Sequence, residues 1–407
     1  MPPTLTLGST GADVILLQTK LNSSPPTDLP PLFVDGDFGP ITLQRVKEFQ
    51  QNNGLWIDGV VGPITWGKLL SAAPPQKQTF YVNGRHLFDP SDNKIILRGI
   101  NLALLDNWEF PPNDKLAEIE KTGANAVRIQ WYIDYGAGLP KRPTYTLTDL
   151  DNFLTKCKAN QIIPILGLWD LTCNPDVNLL NSQLIPWWTD AAVLAVLQKH
   201  QRYLIINLAN ELGVFRWSDS PANALNTFKE AYKQAITSIR QHLHGPIMID
   251  APDCGTSIEA FTSIGQELIE HDPDHNLLLS AHAYWAGDDG VPHIETAINA
   301  NLPIVFGEVA NKQDEEIDGQ TQFCYYDLDG TNENHPPLIA FAYQSLLQML
   351  LEKEVGWLDW SWWKDGCSTR QMVEDGNFAN LTAYGNDLVN NPNYGLKLTA
   401  VRSAAFN

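Results

Sequence analysis

Basic side chains are scarce in this sequence. Its 407 residues include 27 Lys and Arg against 47 Asp and Glu, for a formal net charge of −20 and a pI near 4.7. A surface of that sign repels phosphate polyanions, which argues against nucleic acid and anionic membranes as partners. No run approaches the ~20 apolar residues needed to span a bilayer. The first residues, MPPTLTLGSTGADV, have neither the basic nor the apolar part of a secretion signal. The compartment therefore stays open at this level.

Several reactive motifs are missing too. There is no His-Glu-x-x-His, and the nearest pair, His271 and His275, is interrupted by Pro273, which breaks the helix that such ligation needs. His242 and His244 stand alone. No G-x-S-x-G occurs, so a serine esterase lacks its nucleophile turn. A zinc peptidase or amidase is equally disfavoured, and no metal or cofactor is expected. The five cysteines, Cys157, Cys173, Cys254, Cys324 and Cys367, form no C-x-x-C pair, and an odd number cannot all pair within one chain. They are expected to be mostly free, buried thiols.

What is present is organised in two parts. VDGDFGPIT at 34–42 returns as IDGVVGPIT at 57–65. Each copy supplies Asp-Gly for a turn and then a proline, Pro40 or Pro63, suited to the first position of a helix. Val14, Leu17 and Leu21, and again Leu43, Val46 and Phe49, recur at helical spacing. Three short helices are predicted over residues 1–72, followed by a linker, residues 73–79.

From residue 80 the pattern alternates. A hairpin with Asn-Gly at its turn leads into short apolar runs, each followed by a helical stretch: IILRGIN, AVRIQW, IIPILGLWD, YLIINLANE, PIMIDA, LLLSAHAYW, PIVFGEV and GWLDWSWW. Such units over 80–407 predict an α/β fold, a (β/α)8 TIM barrel. A doubly wound open sheet is the alternative, but no glycine-rich phosphate fingerprint follows the first strand. In a barrel the site lies at the C-terminal strand edges. Those edges carry Arg128, Trp169, Asp170, Asn210, Glu211, His282, Tyr284, Glu308, Trp360 and Trp362. Two carboxylates with aromatic floors are what glycoside hydrolysis needs. Asp170 reads as a helix cap or loop anchor, and DLDGTNENH (327–335) as a surface loop rather than a calcium site.

Residues 5–72 resemble the peptidoglycan-binding domain found at the ends of many wall-lytic enzymes, through LGSTGADVILLQTKLN, DGDFGPIT, VKEFQQNNGL and DGVVGPITWGKLL. Residues 80–407 resemble the glycoside hydrolase family 5 barrels, their endo-β-1,4-mannanases and cellulases above all, through KTGANAVRI, LANE, SAHAY, VFGEV and GWLDWSWW. The tail NLTAYGNDLVNNPNYGLK is closest to bacterial mannanases.

The resemblance implies a retaining hydrolase with Glu211 as acid/base and Glu308 as nucleophile. It further implies that Asn210 binds the sugar 2-hydroxyl, Arg128 keeps Glu308 ionised, Tyr284 restrains Glu308 and His282 supports Glu211. Trp360 becomes the stacking platform, with Trp362 two residues along the same face. One departure stands out: LGLWDLT has Trp169 where the family usually has His, which is either a neutral exchange or a change in recognition at the cleavage subsite. The expected partner is a polysaccharide, mannan favoured over glucan, with wall glycan possible through residues 1–72. A monomer is expected, and the domain types favour an extracellular or wall-associated setting. A non-catalytic sugar-binding barrel and a wall-glycan hydrolase are the alternatives.

Overall fold

The computed structural model describes residues 2–22, 32–71, 78–103, 112–133, 145–286, 290–331 and 341–406. The chain divides into two compact units, Met1–Lys77 and Gln78–Asn407.

The first unit contains the three expected helices, α1 (Ala12–Asn22), α2 (Pro40–Asn52) and α3 (Pro63–Ser71). Pro40 and Pro63 open theirs, where the missing N–H costs nothing. Val14, Leu17, Leu21, Val46, Phe49 and Trp66 meet in one apolar cluster. The repeat is explained by two matching glutamine clamps. Gln18 accepts from Gly36 N at 2.9 Å and donates to Asp35 Oδ1 at 2.7 Å and to the Asp37 carbonyl at 3.0 Å. Gln50 does the same for Gly59, Asp58 and Val60 at 2.8, 2.8 and 3.0 Å. Both glycines have positive φ, 77° and 74°, which is why each turn reads Asp-Gly.

The second unit opens with a small antiparallel sheet, β1 (Tyr81–Asn83), β2 (His86–Phe88) and β3 (Lys94–Ile95). The Asn83-Gly84 corner turns its hairpin. Then come β4 (Arg98–Leu102), β5 (Ala126–Trp131), β6 (Ile163–Leu168), β7 (Ile205–Asn207), β8 (Ile247–Asp250), β9 (Leu277–His282) and β10 (Ile304–Val309). A hairpin of β11 (Lys312–Ile317) and β12 (Gln320–Asp327) precedes β13 (Gly356–Asp359). Strands β4 to β10 and β13 close into one parallel barrel, with helices such as Leu147–Ala159 and Pro221–Ile239 between them. The (β/α)8 expectation holds, and the open-sheet alternative does not.

Period-two alternation assigns the faces. Ala126, Ile165, Ile205, Met248, Leu278, Val305 and Leu358 form the barrel's inner cluster, together with Phe80 and Leu87. Their neighbours Val127, Leu166, Ile206, Ile249, Leu279, Phe306 and Trp357 pack outward with the helices. Each such fully buried aliphatic side chain is worth about 1.5–3 kcal/mol. Two residues further along, the inner register turns polar: Arg128, Asn207, Asp250 and Ser280, all buried.

Three expectations need correction or comment. The cysteines are mostly not free: Cys173 bonds Cys254 and Cys324 bonds Cys367, leaving Cys157 as the buried free thiol. Partners 81 and 43 residues apart meet because the barrel gathers its βα-loops at one end. Asp170 is indeed a loop anchor, accepting from Ile133 N at 3.1 Å. Of the expected surface loop, residues 332–335 lie outside the described residues, as do 73–77 of the linker. Among the described residues no helix is long and apolar enough to cross a membrane.

Replacing Gln18 by leucine strips a buried N–H and carbonyl of their partner, at a cost of about 1–3 kcal/mol. Hydrogen exchange at Gly36 is expected to accelerate roughly 5- to 150-fold, with Gly59 in the intact second clamp unchanged. Equal exchange at both amides before and after substitution would show that the clamps do not hold the turns.

Candidate active site

The polar end of the inner register is built around Arg128, buried on β5. Its Nε and Nη2 donate to Asn207 Oδ1 at 3.1 and 2.7 Å, and Nη1 donates to Asn101 Oδ1 at 3.1 Å. Nη1 also reaches Glu308 Oε1 at 2.9 Å, while Nη2 reaches Asn210 Oδ1 at 2.7 Å and Asp250 Oδ2 at 2.8 Å. The guanidinium lies 4.2 Å over the Trp169 ring. A charge so far from water is tolerated only with this full set of acceptors.

Glu308 owes its aim to an irregularity. Phe306 pairs with Ala281, both facing outward, yet Glu308 pairs with His282, because β10 carries one extra residue, Gly307. The bulge returns Glu308 to the inner face, which strict alternation would deny it. Glycine is required there, since a Cβ on residue 307 would sit 2.9 Å from His282 Nε2.

Glu211 stands past the end of β7, which stops at Asn207, in a left-handed conformation with φ 53°. Its N–H bonds Asp250 Oδ2 at 3.3 Å, and its Oε1 lies 2.7 Å from His282 Nδ1. Oxygens of Glu211 and Glu308 and the His282 ring nitrogen all lie within 4.8 Å of one another. Three such groups could hold a cation, but the Arg128 guanidinium already supplies a positive charge on Glu308. Cys173 and Cys254, also beside Glu211, are committed to a disulfide.

The two carboxyls differ in their surroundings. Burial pushes Glu211 up to about 8, reinforced by the negative Asp250, against the pull of Arg128 and of the Asn210 amide. Burial raises Glu308 as well, with Glu211 adding to it, while His282, Arg128 and the Tyr284 hydroxyl pull it back. Tyr284 Oη donates to Glu308 Oε2 at 2.7 Å, and burial holds that phenol protonated. Burial likewise lowers His282, against the nearby Glu308 and Asp250, which favour its charged form. Of two interacting acids, the one with a cation and a hydroxyl on it ionises first, and Glu211 keeps the proton.

Above the acids opens a cleft of about 790 Å³. Glu211, Glu308, Tyr284 and Trp360 line it, with Trp217 exposed at its rim. The β11–β12 hairpin supplies a wall through Gln313, Asp314, Glu315, Glu316 and Tyr326. That wall is pinned by the Cys324–Cys367 bond and by Arg370, whose Nη2 bonds Asp314 Oδ2 and Asp365 Oδ1 at 2.9 Å each.

Seven of the residues singled out in the sequence therefore converge: Arg128, Asn210, Glu211, His282, Tyr284, Glu308 and Trp360. Glu211, Tyr284, Glu308 and Trp360 line the cleft, Arg128, Asn210 and His282 are buried behind them, and two others do not join the group. Trp362 is wholly buried in the outer core, because β13 ends at Asp359 and strand alternation does not carry from Trp360 to it. Trp169 is buried beneath Arg128, fitted over Gly167, where a Cβ would meet its ring at 2.6 Å. Asn101, Asn207 and Asp250 were missed, although each is a polar residue on the inner register of an apolar strand. The hairpin wall and Arg370 had no signal of that kind.

Comparison with known proteins agrees with this architecture. Residues 88–366 match the family described as "Cellulase (glycosyl hydrolase family 5)", and residues 10–69 match "Putative peptidoglycan binding domain". A mannan endo-1,4-beta-mannosidase of Cellvibrio japonicus (strain Ueda107) is 27% identical over 381 residues, covering 91% of this chain and 80% of that protein. One from Salipaludibacillus agaradhaerens is 26% identical over 338 residues, covering 80% of this chain and 96% of its own. The crystal structure of a β-mannanase from Streptomyces thermolilacinus with mannohexaose shares the fold, with a TM-score of 0.65 at 21% identity, over 81% of this chain and 99% of that one.

The carbon-13 shift of the Glu211 carboxyl is expected to titrate with a midpoint near 8. Asp250→Asn removes a neighbouring negative charge and frees Arg128, so the midpoint should fall. A parent midpoint in the ordinary carboxylate range would refute the proton assignment.

Proposed function

The chain belongs to glycosyl hydrolase family 5 and is a glycoside hydrolase; from that premise we propose that it cleaves internal β-1,4 linkages of a mannan-type polysaccharide with net retention. The observation that carries this reading is the pair Glu211 and Glu308, on successive sides of one cleft with oxygens within 4.8 Å. Retaining enzymes hold their two carboxyls about 5–5.5 Å apart, whereas inverting ones leave ~6.5–9.5 Å for a water.

In the first step Glu308, ionised under Arg128 and Tyr284, attacks the anomeric carbon. Glu211 gives its proton to the departing glycosidic oxygen. In the second step Glu211, now a carboxylate, takes a proton from water, which attacks the glycosyl-enzyme and releases Glu308. The Asn210 amide has its oxygen tied to Arg128 and one N–H on Thr172 Oγ1 at 3.1 Å, and it also meets the Glu211 carboxyl, which places it beside the acid where a sugar 2-hydroxyl would compete for that contact. Trp360 offers its face to the sugar being cleaved, as aromatic rings do at apolar sugar faces. Trp169 acts through Arg128 rather than on the sugar, which favours the neutral exchange at that position. The mannan preference is supported by the names of the relatives above.

The match over residues 10–69 supports a second role, docking of the first unit on wall glycan. Retention of the full chain on purified peptidoglycan, above that of a control protein of similar charge, is the expected outcome; equal retention removes it.

Glu308→Ala should abolish release of reducing ends from mannan, glucomannan, β-glucan and cellulose alike. Glu211→Gln should lose about 10²–10⁴-fold on these polymers and far less on aryl glycosides with good leaving groups, because only proton donation is removed. An equal loss on both substrate types sinks the acid assignment. In the parent, the first product seen by proton NMR should be the β anomer, and an initial α anomer would show inversion.

A further inference from the structure

The Cys173–Cys254 disulfide has no part in the chemistry above, yet it stands against the proton donor. Cys173 lies on the loop after β6 and Cys254 on the loop after β8, their Cα atoms 4.7 Å apart, and both line the cleft. Between them runs the loop of Glu211. Cys173 N donates to the Glu211 carbonyl at 3.1 Å, Gly213 N to Asn174 O at 2.8 Å, and Asp253 N to Gly213 O at 3.0 Å. Cys173, Glu211, Asp253 and Cys254 all have positive φ, 56°, 53°, 58° and 51°. Left-handed backbone costs a non-glycine residue roughly 1–2 kcal/mol. Three mutually bonded loops over-determine that conformation where one would relax.

The side-chain contact is chemical rather than merely steric. Glu211 Oε1 takes His282 Nδ1, whereas Oε2 meets the Cys173 sulfur at 3.2 Å. A disulfide sulfur carries no hydrogen and cannot stabilise a carboxylate oxygen. A thiol at the same place can donate, if weakly. The charged and titratable groups around this carboxyl come from every side: His282 on β9, Asp250 on β8, Arg128 on β5, Glu308 on β10, and Arg370 beyond β13. Tyr284, just after β9, stands near it too.

We propose that Cys173 and Cys254 are positioning residues for the proton donor: as a disulfide they keep Glu211 Oε2 facing a sulfur without a hydrogen, and on reduction Cys173 donates to that oxygen and favours the ionised, inactive carboxylate. The reduction is a two-electron exchange with a dithiol. The S–S bond breaks, two S–H groups form with the electrons and protons of the dithiol, and the reductant closes to its own disulfide. Glu211 thereby becomes a redox-responsive acid. The inference rests on the acid role proposed for Glu211.

The test compares two doubly substituted full-length chains that both lack the cross-link. Cys173→Ser with Cys254→Ala offers Oε2 a hydroxyl donor, and Cys173→Ala with Cys254→Ala offers none. The alkaline limb of kcat/KM against pH on mannan is expected to fall by about half to one unit in the serine variant relative to the alanine variant, a roughly 3- to 10-fold activity difference above the limb. Coincident limbs overturn the proposal, since loss of the cross-link alone would then explain everything. Should either variant fail to fold, the carbon-13 midpoint of Glu211 before and after reduction by a dithiol, in the full-length Cys324→Ala, Cys367→Ala chain that retains only the Cys173–Cys254 bond, gives the same answer. It should fall on reduction, and an unmoved midpoint overturns the proposal. Failure of the underlying acid assignment is separately visible, because the parent's alkaline limb would then not track the Glu211 midpoint.

Discussion

A single buried cation holds the catalytic end of this barrel in order. Arg128 sits where the inner register passes from aliphatic to polar, shut off from solvent, and it spends its donors on Asn101, Asn207, Asn210, Asp250 and Glu308. Those acceptors come from β4, β7, the loop beyond β7, β8 and β10. An uncompensated charge at this depth costs several kcal/mol, so each strand is tied to the position of the others by the need to satisfy one side chain. Trp169 closes the remaining face of the guanidinium with a ring, where a cation–π contact replaces water.

The same cation sets the two cleft carboxyls apart. Around it stand Asp250, Glu308 and Glu211, three carboxyl groups close to the buried guanidinium and to the His282 ring. Full ionisation would crowd three negative charges into a dry site, which favours retention of a proton. Glu308 has the guanidinium and the Tyr284 hydroxyl; Glu211 has burial and the adjacent Asp250. Those surroundings favour the proton on Glu211, which is the distribution that the proposed roles of acid and nucleophile require.

Around this core the βα-loops supply shape. The hairpin after β10 raises one wall of the cleft, tied by Cys324–Cys367 and by the Arg370 ion pairs to the segment after β13. The Cys173–Cys254 bond ties the opposite loops around Glu211. Both cross-links join segments that no strand pairing connects, and both stand at the open end of the barrel. Rigid placement of reacting groups is needed there, and a hydrophobic core cannot reach.

Much of this was legible in the chain. Alternating apolar runs and helical stretches determined the barrel, a repeated Asp-Gly…Pro determined the first unit, and polar residues ending apolar runs marked Arg128, Glu211, His282 and Glu308. Such signals are local, arising from strand and helix period and from backbone sterics, and a sequence carries them openly. Trp362 was misassigned because the strand ended at Asp359, three residues before it. The cysteines were misassigned because their pairing depends on loops dozens of residues apart. Only the tertiary structure decided that a bulge at Gly307 turns Glu308 inward, that Asp250 shares Arg128, and that a disulfide faces the acid. Those outcomes are sums of burial and charge over groups distant in the chain, and such sums exist only once the barrel has closed.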